Sequence, residues 1–297
     1  MKIVFITAAF SIFMHGKNNE HIQETNVSFK HTEKSIRLST GIDLHYVEQG
    51  NSNGVPVILL HGYTDSWKSF EKVLPLLPSN IHAFAISQRG HGNSSKPENG
   101  YDSKSIAGDL AAFIMQKKLG PVIVAGHSWG GVIAQQFALD HPTLVKSIII
   151  VSSAAAFKDN PGIPEFVQEI KNIRDSVSYQ FVTEFQKSTI IKPIDSLYFN
   201  ELISESRKVP LHVWKSVSNA IMQVDLVPGL HKIQVPVLII WGDKDYICPK
   251  EDQEIFLKEI KNARLITYEG TGHALHWEQP ERFAADLVAF IQRSSQA

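Results

Sequence analysis

Three observations predict an α/β fold: a mostly parallel central sheet, helices on both faces, and a helical insertion late in the chain. Continuously apolar runs such as Val55–Leu60, Val122–Ala125 and Val145–Val151 read as strands covered on both faces, as parallel strands are. They alternate with segments of helical periodicity, the rhythm of strand–crossover–strand units. Between about residues 157 and 230 that rhythm stops: helical patterns continue without a convincing strand until Val235. The predicted division is an N-terminal segment over 1–34, a core over 35–156 and 231–297, and a helical cap over 157–230.

Taken in order, Met1-Lys2 precedes an apolar run from Ile3 to Met14, too short to span a bilayer and the size of a signal-peptide core. Residues 17–34 are polar and unpatterned, as a linker after a removed segment 1–16 would be, although no small-x-small cleavage site stands out near Met14. On these grounds export is favoured over a cytoplasmic location. Ser35–Ser39 and Ile42–Val47 alternate apolar and polar residues around Thr40-Gly41, which predicts a hairpin. Val55–Leu60 is a central strand, and Asp65 or Ser66 is placed to cap a helix running through Val73 and Leu76. His82–Ile86 is the next strand. Ile106, Leu110, Phe113 and Ile114 then give one buried face to a helix over 105–118.

Past the strand Val145–Val151, the insertion shows helical faces at Phe166, Ile170 and Ile173, at Val177, Phe181 and Phe185, and at Trp214, Val217 and Ile221. The alternation resumes with Val235–Ile240, a helix around Asp252–Ile260, the strand Arg264–Tyr268, and a last helix carrying Phe283, Leu287, Phe290 and Ile291.

The formal net charge of −1 and the lack of any long Lys/Arg run argue against nucleic acid as a partner and against electrostatic attachment to an anionic membrane. No stable membrane insertion is expected. Cys248 is the only cysteine, so no intramolecular disulfide forms. The 13 histidines show no His-x-x-x-His helical pair and no Cys/His cluster, so no metal is expected. Gly90-x-Gly92 lacks the strand–turn–helix setting of a dinucleotide fingerprint, and no phosphate loop is present, so no cofactor is expected either.

Chemistry concentrates at predicted strand ends, where open parallel sheets carry their functional groups. The run Pro121–Gly131 reads as a strand turning sharply into a helix, with Ser128 at the turn and glycines at 126 and 130. The strand Val235–Ile240 delivers Trp241-Gly-Asp-Lys-Asp245, and Arg264–Tyr268 delivers Glu269-Gly-Thr-Gly-His273. A serine hydroxyl is a weak nucleophile that needs an adjacent base. Imidazole suits that role, and a carboxylate fixes the imidazole's tautomer. Asp243 and Asp245 both compete for the acid role. His276, one helical turn from His273, competes for the base.

With Gly126-His-Ser-Trp-Gly130, His61-Gly62, Arg89-Gly-His-Gly-x-Ser94, Gly242-x-x-Asp245 and Gly272-His273, the chain from about Ile42 to its end resembles the α/β-hydrolase superfamily. The resemblance implies Ser128 as nucleophile, Asp245 as acid and His273 as base. It also implies an oxyanion hole from the backbone N–H groups of Tyr63 and Trp129, and a helical cap. Some relatives place the acid after the strand preceding the cap, but Ser152–Phe157 offers no carboxylate. Two departures stand out. Ser87 occupies the place of an aspartate usual in the loop after the fourth strand. A serine at the nucleophile position disfavours epoxide opening and dehalogenation, which use aspartate there.

The expected function is a cofactor-free serine hydrolase that cleaves a carboxylic ester or lactone of a small to medium apolar substrate through an acyl-enzyme. The alternatives are other chemistry on the same triad (carbon–carbon bond hydrolysis, perhydrolysis of the haloperoxidase kind, amide cleavage) or a ligand receptor on a hydrolase fold. Phe181, Phe185, Tyr198, Phe199 and Trp214 are candidates for an acyl pocket, or for the packing that holds the cap helices together. His127 is expected to pack behind the turn, His61 to orient the oxyanion loop, His91 to brace its loop or sit at the surface, and His276 to occupy a partly buried helix-capping site.

Overall fold

The computed structural model describes residues 31–296; the export signal read at 1–16 lies outside the described residues. Eight strands form one sheet in the order β1-β2-β4-β3-β5-β6-β7-β8. They are β1 (Thr32–Arg37), β2 (Asp43–Gln49), β3 (Val55–Leu60), β4 (Ile81–Ser87), β5 (Val122–His127), β6 (Val145–Val151), β7 (Val237–Gly242) and β8 (Ala263–Tyr268). β2 pairs antiparallel with β1 and with β4, and every other neighbouring pair is parallel. The expected hairpin is β1–β2, closed by a Leu38 N–H to Ile42 carbonyl bond of 2.8 Å with Gly41 at φ +81°.

The apolar runs are continuous because both faces are covered. In β3, Ile58 and Leu60 belong to one core while Val57 and Leu59 belong to the other, the period-2 alternation of a strand. The first core takes in α1 (Ser103–Gln116) and α2 (Trp129–Asp140) through Ile106, Leu110, Phe113, Ile133 and Phe137. The second is closed by Phe70, Leu74 and the Phe283, Leu287, Phe290 face of the C-terminal helix over Pro280–Gln296.

One expected helix is absent. Residues 66–77 form two short 3₁₀ turns, Trp67–Phe70 and Leu74–Leu76. Pro75 has no N–H to donate and its ring crowds the carbonyl four residues back, so a continuous α-helix through Val73 and Leu76 is broken. Ser66, not Asp65, caps the first turn, its hydroxyl accepting from Lys68 N–H at 3.2 Å. Ser87, whose place the resemblance would give to an aspartate, accepts a 3.3 Å bond from Trp67 N–H. Beside it, the Arg89 guanidinium forks onto both oxygens of buried Asp109 of α1 at 2.6 Å each.

Between β6 and β7 lie α3 (Ile163–Asn172), α4 (Tyr179–Ser188), α5 (Ser196–Arg207) and α6 (Leu211–Gln223). A β-bridge between Ala156 and Asp225 closes the base of this insertion. The expected helical faces meet in an aromatic cluster. Phe166 stacks on Phe181 and Phe185, and Trp214 stands edge-on to both of the latter. After β7 come α7 (Lys250–Glu259), β8, the single turn α8 (Leu275–Glu278) and the C-terminal helix, α9. Among the described residues no helix is long and apolar enough to cross a membrane.

Candidate active site

Because β3 through β8 run parallel, the loops leaving their C-terminal ends share one rim of the sheet. β5 ends at His127 and α2 starts at Trp129, which leaves Ser128 at φ +51°, ψ −117°. That backbone is unfavourable for a residue with a side chain and costs about 1–3 kcal/mol. Several bonds hold it. The Ser128 N–H donates to Val151 carbonyl at 2.9 Å, and its carbonyl accepts from Gly131 N–H at 2.9 Å and Ser153 Oγ at 2.7 Å. Glycine is required on both sides. A Cβ on Gly126 would sit 2.1 Å from the Gly130 carbonyl oxygen, and one on Gly130 2.3 Å from that of Leu60.

β8 leads into the loop that carries His273, and β7 into the loop that carries Asp245. The His273 Nδ1 lies 2.9 Å from Asp245 Oδ2, with both side chains buried. The other oxygen of Asp245 accepts from the N–H groups of Ile247 and Cys248, at 2.9 Å each. With the carboxylate as acceptor, Nδ1 carries the ring proton, and in the neutral ring Nε2 is the nitrogen with the lone pair. Asp243 points elsewhere. It accepts from Gly270 N–H at 2.6 Å, pairs with Lys244 at 3.3 Å, and is partly exposed.

Tyr63 and Trp129 flank Ser128 on the same cavity. Trp129 is the first residue of α2, so its N–H has no intrahelical acceptor. The Gly62–Tyr63 peptide is set by His61. Gln88 N–H donates to His61 Nε2 at 3.0 Å, so Nδ1 carries the proton and donates to the Gly62 carbonyl at 2.8 Å. Fixing that carbonyl fixes the opposite-facing N–H of Tyr63, since the peptide is planar. His61 stays neutral because burial, reinforced by His91 nearby, drives its pKa well down.

Three further histidines pack around these loops. His127 lies behind the turn, its Nε2 3.1 Å from the His273 carbonyl. His276 is fully buried rather than a partly exposed cap residue, with Nε2 2.9 Å from Ser69 Oγ; burial, with His273 nearby, lowers its pKa to about 3. His91 is buried and braces its loop through the Arg89 carbonyl at 2.9 Å, so its surface alternative is wrong.

Ser128 and His273 open onto a mostly apolar cavity of about 370 Å³. Phe157, Ile163, Phe166, Val167, Phe185 and Ile221 of the insertion form much of its wall. Of the five aromatic pocket candidates only Phe185 lines it. Phe181 and Trp214 pack within the aromatic cluster, and the Tyr198 hydroxyl anchors the insertion to the carbonyls of Lys68 and Ser69 at 3.0 and 3.1 Å. Phe199 packs against the core. Phe166 lines the cavity but carried no special mark in the sequence beyond its place on a helical face.

Asp65, the cap candidate that Ser66 displaces, lines this cavity, buried, with Gln186 of α4 donating to its Oδ1 at 3.0 Å. Burial raises its pKa to about 7, against the lowering effects of Gln186 and His273. The available signal was position: Asp65 leaves β3 in the same rim loop as His61 and Tyr63.

Asp245, Cys248 and His273 bring one potential ligand atom each within 4.8 Å of one another, a grouping the sequence spacing did not suggest. Asp245 and His273 are already bonded to each other. Burial and the nearby carboxylates keep the Cys248 thiol protonated, which suits packing better than metal ligation.

Residues 55–280 match the alpha/beta hydrolase fold family. Lipase 1 of Psychrobacter immobilis is 29% identical over 269 residues, 86% of this chain and 83% of that protein. The non-heme chloroperoxidase of Streptomyces lividans is 28% identical over 284 residues, 87% of this chain and 99% of that protein. Among solved structures, an esterase from Exiguobacterium antarcticum superposes with a TM-score of 0.80 at 27% identity, over 88% of this chain and all of that one.

Proposed function

The chain belongs to the alpha/beta hydrolase fold family, and on that premise we propose that it is a serine esterase whose nucleophile is Ser128. One observation carries this reading: Ser128, on strained backbone, faces the same apolar cavity as a histidine already paired with a buried carboxylate. Ser128 Oγ attacks the carbonyl carbon of an ester or lactone while His273 Nε2 takes its proton. Asp245 stabilises the imidazolium that forms, and the N–H groups of Tyr63 and Trp129 bind the oxyanion. The imidazolium proton then passes to the leaving alkoxide. Water, deprotonated by His273, cleaves the acyl-enzyme to release the acid and restore Ser128. We take the 157–230 insertion as the cap that encloses a small to medium apolar substrate away from water.

In the test, Ser128→Ala is expected to lose at least 10³-fold in turnover of short p-nitrophenyl esters while keeping its far-UV circular dichroism, on the order of magnitude typical of nucleophile removal. A fluorophosphonate probe should label the wild type and not the variant. Full turnover by Ser128→Ala would overturn the proposal. The similarity to a chloroperoxidase makes perhydrolysis the second reading. It predicts peracid formation from a carboxylic acid and peroxide at a rate exceeding ester hydrolysis.

A further inference from the structure

Resting on the esterase reading above, we propose that Asp65 is a specificity-determining residue that accepts a hydrogen bond from a neutral or cationic donor, a hydroxyl or ammonium group, on the substrate. Among the described residues that line the cavity, Asp65 is the only one with a carboxyl, and none is a lysine or arginine. Its two oxygens are unequally used. Oδ1 receives the Gln186 amide at 3.0 Å. Oδ2 receives the Ser69 hydroxyl at 3.5 Å, the outer limit of a hydrogen bond, and the carboxyl also feels the Gly62 backbone N–H.

Ser69 is also poorly placed to serve Asp65. Its hydroxyl oxygen accepts from Trp277 Nε1 at 3.0 Å and lies 2.9 Å from His276 Nε2, so the hydroxyl is shared among three partners and its 3.5 Å bond to Oδ2 is the longest of them. With one long bond and two lone pairs, Oδ2 keeps room for a further donor on the wall of an apolar cavity, where a well-placed donor is worth more than in water. A pocket that is apolar except for a few placed polar groups uses those groups to orient its ligand. Burial outweighs the lowering effects of Gln186, His273, Ser69 and Gly62 and raises the Asp65 carboxyl to about 7, so at pH 8 it is the ionised acceptor that such a donor would meet. The same charge, with no lysine or arginine among the described residues of the wall, disfavours an anionic substrate.

Gln186 also donates to Ser206 Oγ of α5 at 2.6 Å, so Asp65 ties the oxyanion loop to the insertion as well. A purely structural role of that kind would change all substrates together. The decisive readout is therefore a ratio.

Ester pairs matched in length, with and without a hydroxyl, are compared at pH 8, the hydroxyl being on the acyl chain in one series and on the alcohol in the other. In at least one series the wild type should favour the hydroxylated member by about 10- to 100-fold in kcat/KM, the scale of a hydrogen bond to a charged group. Asp65→Asn and Asp65→Leu should both cut that ratio at least five-fold, and a half-ester carrying a free carboxylate should be the poorest substrate. Equal kcat/KM within both pairs, or a ratio unchanged in Asp65→Asn, would overturn the assignment. Binding of the matched non-hydrolysable ethers to Ser128→Ala, followed by tryptophan fluorescence, reads the same ratio without turnover. A failure of the esterase reading is thus distinguishable from a failure of the Asp65 assignment.

Discussion

Asp243 and Asp245 sit two positions apart on one loop, and their surroundings separate them. Asp245 is buried, with one oxygen on two backbone N–H groups and the other on His273. Asp243 is half-spent on a turn and paired with an exposed lysine. Asp245→Asn leaves an amide opposite His273 Nδ1 and, on the proposed mechanism, removes the charge that would stabilise the imidazolium. It is expected to lower kcat by roughly 10³- to 10⁴-fold. Asp243→Asn should stay within about three-fold, because a partly exposed turn carboxylate contributes little. Steady-state kinetics on one p-nitrophenyl ester decides this, and the opposite order would transfer the acid role to Asp243.

At the level of elements, the edge hairpin is fastened by Glu48 of β2. Its carboxylate receives Lys34 of β1 at 2.9 Å, His82 of β4 at 2.9 Å and Lys117 after α1 at 3.1 Å. Burial alone would raise its pKa, but these partners outweigh burial and hold it at about 2. For an acid whose native pKa is lowered, the stabilisation is complete above the unfolded value near 4.5 and is lost as pH falls through the native value. Glu48→Gln should therefore lower the unfolding free energy by about 1–2 kcal/mol at pH 7. That deficit should shrink as pH falls from 4.5 toward 2, as urea denaturation at several pH values would show. A deficit independent of pH would mean that shape, not charge, secures the hairpin. The neighbouring 66–77 segment shows a limit of pattern reading. Its apolar residues have helical spacing, but Pro75 divides them into two 3₁₀ turns that still bury Phe70 and Leu74.

Across the whole molecule, the insertion and the loop of His273 are joined by a single carboxylate. Glu278 accepts from the N–H groups of Ile191 at 2.9 Å and Lys192 at 3.2 Å, both just beyond α4, and from Gly272 N–H at 3.0 Å, next to His273. Thr189 adds a bond from its carbonyl to Ala274 N–H at 2.8 Å. Glu278→Ala leaves three amides without their acceptor, at about 1 kcal/mol each in a typical case. Faster hydrogen exchange is expected at residues 191, 192 and 272, together with a fall in kcat/KM of about ten-fold, since a small displacement of a reacting group is costly. Glu278→Gln, which keeps an acceptor oxygen, should lie between the two. Unchanged exchange at Gly272 would show that the insertion and the His273 loop are independent.

The central strands, the turn at Ser128, the helical insertion and the candidates Asp245 and His273 were all legible in the sequence. They depend on local rules: period-2 burial in β3, the glycines that let the Ser128 turn close, and the loops that parallel strands place at one rim. Which side chains meet across the cavity is a non-local matter. Asp65 and Gln186 are 121 positions apart, and no periodicity connects them. The same holds for the aromatic residues of the insertion: their spacing predicts burial, but only the packing of α3, α4 and α6 decides that Phe166 and Phe185 face the cavity while Phe181 and Trp214 hold the helices together. Sequence alone determined the scaffold and which residues of its rim stand as candidates for the chemistry. Tertiary structure decided what surrounds Ser128, because burial and hydrogen-bond partners are properties of residues brought together only by folding.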